Sequence, residues 1–97
     1  MKYSVFLHPD VVKYLDLLTE DERKRCYEGL KNLSNDPYRS RSGCDIKKMS
    51  GKKEFYRLRV GKHRFLYVIK ENDVLVEEGF KREKVTEYKR RNKNAFN

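Results

Sequence analysis

Ninety-seven residues supply interior for one modest core, which excludes two independent domains, and the whole span 1–97 is expected to form a single domain. Charged residues (40%) outnumber hydrophobic ones (37%), and no run approaches the ~20 apolar residues of a membrane span, so the chain is expected in the cytoplasm. The net charge of +9 is divided unevenly, with 10 Lys/Arg against 8 Asp/Glu (+2) over 1–49 and 14 against 7 (+7) over 50–97, which points to an anionic partner met mainly by the second half.

The chain opens with Tyr3, Val5 and Leu7 alternating with Lys2, Ser4 and Phe6, a strand period that His8-Pro9-Asp10 stops. Val11, Val12, Leu15 and Leu18 then fall at helical spacing, with Pro9 and Asp10 suited to a helix start and an end near Leu18. Thr19 with Glu22 three residues on matches a capping box for a second helix, whose buried face is Cys26, Leu30 and Leu33 and whose end is Ser34-Asn35-Asp36-Pro37. Residues 38–46 are polar and read as a connecting loop, and Lys47 to Met49 as a short strand. Three strands follow, Phe55 to Val60, Arg64 to Ile69 and Val74 to Phe80. They are separated by Gly61-Lys62 and Asn72-Asp73, and links this short require an antiparallel meander. A charged helical pattern runs from Glu83 to about Arg91, and 92–97 read as a loose tail. The predicted fold is therefore α+β: a strand, an antiparallel helical hairpin, an antiparallel β-meander and a short C-terminal helix, with the hairpin on one face of a single sheet.

The other face carries the chemistry. In Phe55-Tyr56-Arg57-Leu58-Arg59-Val60 the alternation places Tyr56, Leu58 and Val60 on one side and Arg57 and Arg59 on the other. Residues two apart on a strand lie roughly 7 Å from each other, close to the spacing of successive phosphates. A tight hairpin brings Arg64 beside them, and Arg82 and Tyr88 complete a basic site if the last segment folds back along the meander. The same pattern also describes a solvated outer face whose arginines pair with Glu54, Glu77 and Glu78, and composition alone leaves both readings open. Of the two histidines, His63 beside Arg64 is the better candidate, although a turn histidine is commonly a surface residue. Cys26 reads as helix core and Cys44 as a loop residue. Neither has a CxxC or histidine neighbour that would indicate zinc, and no nucleotide-loop, metalloprotease or serine-hydrolase motif occurs. No cofactor and no metal site is expected.

The stretch Lys47–Ile69 (KKMSGKKEFYRLRVGKHRFLYVI), followed by Gly79–Tyr88 (GFKREKVTEY), resembles the RelE toxins of the RelE/ParE superfamily. The preceding strand and helical hairpin match that family in order and length, so the resemblance covers nearly the whole chain. It implies a metal-independent endoribonuclease, the toxin of a type II toxin–antitoxin system, that cuts mRNA in the A site of the 30S ribosomal subunit by attack of a ribose 2′-hydroxyl on the adjacent phosphate. It further implies a RelB-like antitoxin as partner, and operator DNA as a target of the complex. Carried over position by position, Arg57, Arg59, Arg64, Arg82 and Tyr88 are the catalytic candidates, with Lys52, Lys53, Lys62, His63 and Lys81 around them as RNA contacts. Members of the family place lysine where this chain has Arg57 and Arg59, and an arginine is a poor general acid, which leaves the proton donor to water or His63. Two other readings stand beside it. One is a ParE-type relative, which shares the fold, acts on DNA gyrase and lacks the basic cluster, so that Arg57, Arg59, Arg64, Arg82 and Tyr88 together favour RelE. The other is a basic RNA- or ribosome-binding module in which the same arginines grip phosphate and nothing is cut.

Overall fold

The structure is a computed structural model describing residues 2–51 and 54–82. The expected helix from Glu83, the tail 92–97, and Lys52, Lys53 and Tyr88 lie outside the described residues.

Strand β1 (Ser4–Leu7) leads through His8 into helix α1 (Pro9–Asp16), and helix α2 (Glu20–Asn32) follows directly. His8 closes the first turn of α1, its Nδ1 accepting from Asp10 N–H at 3.0 Å, a capping role that its position before Pro9-Asp10 did not announce. The first helix ends two residues earlier than its apolar spacing suggested. Leu17 caps it, Leu18 is buried in the connection, and Val12 stays partly exposed. Thr19 caps α2 as the capping box predicted, its Oγ1 accepting from Glu22 N–H at 3.3 Å. Arg23 locks the hairpin from the α2 side. Its guanidinium donates to the carbonyls of Leu15 (3.1 Å), in the last turn of α1, and Leu18 (3.1 Å), in the connection.

Four further strands, β2 (Asp45–Met49), β3 (Phe55–Val60), β4 (His63–Lys70) and β5 (Asp73–Lys81), form the antiparallel meander. Strand β2 begins two residues earlier than expected. The β4–β5 turn is Glu71-Asn72, because Lys70 pairs with Asp73 and Glu71 itself takes the positive φ (57°) that the turn needs. The sheet order is β1-β5-β4-β3-β2, and β1 lies parallel to β5, so the single sheet is mixed. At Leu66/Tyr67 the β4–β5 register shifts: Leu66 faces Glu78 and Tyr67 faces Val76, leaving Glu77 as the extra residue of a β-bulge.

The hairpin covers one sheet face. Val11 and Leu15 of α1 and Cys26, Leu30 and Leu33 at α2 meet Leu58, Phe65, Tyr67, Val74 and Val76 from the strands, all buried. Area removed from water here is the main stabilising term, since the chain has few other apolar side chains to bury. Gly29 permits the approach of α2 to β3, because a Cβ there would stand 2.8 Å from Val60 Cγ2. The Tyr67 hydroxyl, buried in this core, donates to the Pro37 carbonyl at 2.7 Å and ties the segment after α2 to the sheet centre. Both cysteines are free and buried, and burial pushes the Cys26 thiol up to about 11.

Candidate nucleic-acid interface

The opposite sheet face is built by strand parity. Arg59 pairs with Arg64 across β3 and β4, Arg57 pairs with Leu66, and Asp45 pairs with Arg59, so Asp45, Arg57, Arg59 and Arg64 share one side of the sheet. Arg82 directly follows β5, and its backbone N–H donates to the Lys62 carbonyl at 3.0 Å, fixing it beside the β3–β4 turn. Gly61 begins that turn with φ 59°, a conformation that a side chain would strain. Four cations are thereby gathered without any contribution from the helices.

Their mutual repulsion is visible at Arg64. Partial burial and the charges of Arg57, Arg59 and Arg82 hold its guanidinium below the usual arginine range, while Asp45 opposes them. Arg64 donates to the carbonyls of Gly61 (2.9 Å) and His63 (3.3 Å), which aims it from the turn. The acids that pattern alone offered as partners, Glu54, Glu77 and Glu78, make no ion pair with these arginines. Glu54 pairs with Lys48 at 3.7 Å. Asp45 takes that place: one carboxylate oxygen lies 3.0 Å from an Arg57 guanidinium nitrogen and the other 2.7 Å from Arg59 Nε. Among the described residues Asp45 is the only carboxylate within ion-pair distance of the cluster. It had no motif to reveal it, standing at the end of a stretch that reads as polar loop. The signal that could have found it was the cross-strand register opposite Arg59.

The structure separates His63 from this face. Adjacent strand residues point to opposite sides, so with Arg64 outward His63 turns inward, where it is 3% exposed. Its Nδ1 shares a hydrogen bond with the Tyr14 hydroxyl, and its Nε2 lies 3.7 Å from a Glu22 carboxylate oxygen. Desolvation holds the imidazole below its ordinary value against the opposing pull of Glu22, which favours the neutral ring. The reading of His63 as an RNA contact or proton donor is therefore corrected: it is a core residue joining both helices to the turn. Lys81 pairs with His63 in the ladder and so falls on the helix side of the sheet. Lys62 sits in the turn with its ammonium 3.8 Å from Glu22. Among the described residues no group of three His, Cys, Asp or Glu could hold a metal ion, and no helix is long and apolar enough to cross a membrane.

No family model matches the chain. The candidate toxin RelE1 of Methanocaldococcus jannaschii is 34% identical over 76 residues, which span 78% of this chain and 83% of that protein. A chain of the archaeal RelE–RelB complex from Pyrococcus horikoshii superposes with a TM-score of 0.73 at 28% identity, over 84% of this chain and 97% of that one. A chain of the toxin–antitoxin complex RelBE2 from Mycobacterium tuberculosis shares the fold, with a TM-score of 0.70 at 21% identity, over 84% of this chain and all of that one (100%). The sheet with its helical hairpin recurs in these solved structures, and the identity to RelE1 extends across most of both sequences; the chain belongs to the RelE family of toxins.

Proposed function

We propose that this RelE-type toxin is a ribosome-dependent endoribonuclease that cleaves mRNA in the ribosomal A site. The observation that carries the reading is the grouping of Arg57, Arg59, Arg64 and Arg82 on the sheet face that the helices leave open. In the reaction a ribose 2′-oxygen attacks the adjacent phosphorus and the bond to the 5′-oxygen breaks. A 2′,3′-cyclic phosphate and a 5′-hydroxyl end result. Arg57, Arg64 and Arg82 stabilise the charge that grows on the pentavalent phosphate, because fixed cations at developing charge are commonly the largest catalytic contribution. No metal ion is required in this scheme. Arginine keeps its proton, and His63 faces the helices, so the leaving 5′-oxygen takes its proton from water. Tyr88, at the position of the family's terminal aromatic, is assigned to stacking on the base or to activating the 2′-hydroxyl.

The partner we infer is a RelB-like antitoxin, since the Pyrococcus and Mycobacterium structures are toxin–antitoxin complexes. An acidic or amphipathic antitoxin segment would cover the arginines, and the joint complex would bind operator DNA. The ribosome, mRNA and antitoxin place this activity in the cytoplasm.

Primer extension on mRNA translated in vitro tests the nuclease reading. Cuts inside A-site codons are expected with the wild-type protein and ribosomes, and at least a hundred-fold fewer with Arg82→Ala, on the order of the loss seen when one fixed donor to a developing charge is removed. Intact mRNA would overturn cleavage and favour a gyrase-directed or non-cleaving RNA-binding role.

A further inference from the structure

We propose that Asp45 is a specificity-determining residue, a phosphate surrogate that occupies the arginine cluster until an RNA phosphate displaces it. The proposal rests on reading the cluster as an RNA phosphate site. A carboxylate and a phosphodiester both offer two anionic oxygens, and Asp45 uses both, one on Arg57 at 3.0 Å and one on Arg59 at 2.7 Å. Its grip is incomplete, because Arg57 Nε is buried with no hydrogen-bond partner. It is also releasable: the Asp45 side chain is 37% exposed and that of Arg59 51%, and β2, which carries Asp45, is an edge strand. Free RNA arriving at the cluster must first displace a carboxylate that is already bonded, whereas a phosphate held in place by another body meets it at high effective concentration. Asp45 thus makes the cluster discriminate against loose RNA in favour of RNA presented in a fixed geometry.

The test is the affinity of the purified protein, without ribosomes, for a 12-nucleotide 2′-O-methyl RNA that cannot be cleaved. Asp45→Asn, which keeps the shape and removes the charge, is expected to bind on the order of ten-fold tighter at low salt. Its log Kd against log salt should steepen by about 0.7, the increment for one more phosphate neutralised on a single strand. Glu54→Gln, which removes an acid paired with Lys48, should stay within two-fold of wild type. Equal tightening in both variants would reduce the effect to net charge, and weaker binding by Asp45→Asn would make Asp45 an organiser of the site; either overturns the proposal. If Arg57→Ala with Arg64→Ala leaves wild-type binding unchanged, the RNA reading of the cluster falls and the proposal with it. If those changes weaken binding while Asp45→Asn equals wild type, only the proposal falls. Should Asp45→Asn fail to fold, the wild-type protein still decides by NMR: the Asp45 carboxyl carbon should shift with the same Kd as the Arg57 and Arg59 Nε signals during RNA titration. An unmoved carboxyl signal beside moving arginine signals would overturn it.

Discussion

Burying His63 between Tyr14 and Glu22 makes the helix side of the protein sensitive to pH. Desolvation lowers the folded-state pKa of His63 below the unfolded value of about 6.5. The unfolded chain therefore binds the proton more readily, and the stabilisation is present above that value and lost as pH falls through the folded-state pKa. His63→Gln should remove this dependence. In urea melts at pH 7.5 and 5.5, wild type is expected to lose more stability than the variant, and parallel losses would assign the acid sensitivity elsewhere. The charges of Glu22, which raises it, and of Lys62 and Lys81, which lower it, all act on the ring. Three of the four cationic candidates were legible from parity, because β3 alternates cleanly and Arg64 follows a two-residue turn. His63 was misplaced because proximity in sequence means opposition in a strand, and Asp45 was missed because its meaning lies in the strand opposite.

Between the helices, the contact with most consequence is Arg23. Its guanidinium donates to the carbonyls of Leu15 in α1 and Leu18 in the connection at 3.1 Å each, with a longer bond to the Asp16 carbonyl at 3.4 Å, so one side chain of α2 ties down the end of α1. Hydrogen bonds to charged donors contribute about 1.5–3 kcal/mol each before solvent exposure weakens them. Arg23→Ala should cost about 1–3 kcal/mol in chemical denaturation while leaving the β-sheet circular dichroism unchanged. A loss below ~0.5 kcal/mol would show that water replaces the guanidinium at no penalty. At this scale the sequence was a good guide to α2, whose start is written in Thr19 and Glu22, and to β3, with its six alternating residues. It was a poorer guide where pairing decides the outcome. The parallel seat of β1 beside β5, the early start of β2 and the non-glycine turn at Glu71 are all set by neighbours far along the chain.

The molecule as a whole has two characters divided by one sheet, with Arg57, Arg59, Arg64 and Arg82 gathered on the side away from the hairpin. Arginine-specific modification with phenylglyoxal, with and without a single-stranded RNA, reads this division directly. RNA should protect Arg57, Arg59, Arg64 and Arg82, while Arg25 on α2 and Arg39 beyond it, both exposed, keep reacting at the unprotected rate. Uniform protection would mean that RNA coats the chain through net charge alone.

The bulge at Glu77 acts as a change of phase between two messages written on one strand. Before it, even-numbered residues look toward the helices, as Val74 and Val76 do; after it, odd-numbered ones do, as Gly79 does against Phe65 and Tyr14. Without that single extra beat, continued alternation would turn Phe80 and Arg82 toward the oily side, and the glycine that makes room for Tyr14 would look outward. One extra glutamate in the ladder thereby lets a strand that begins by specifying a core end by delivering a cation to the arginine face.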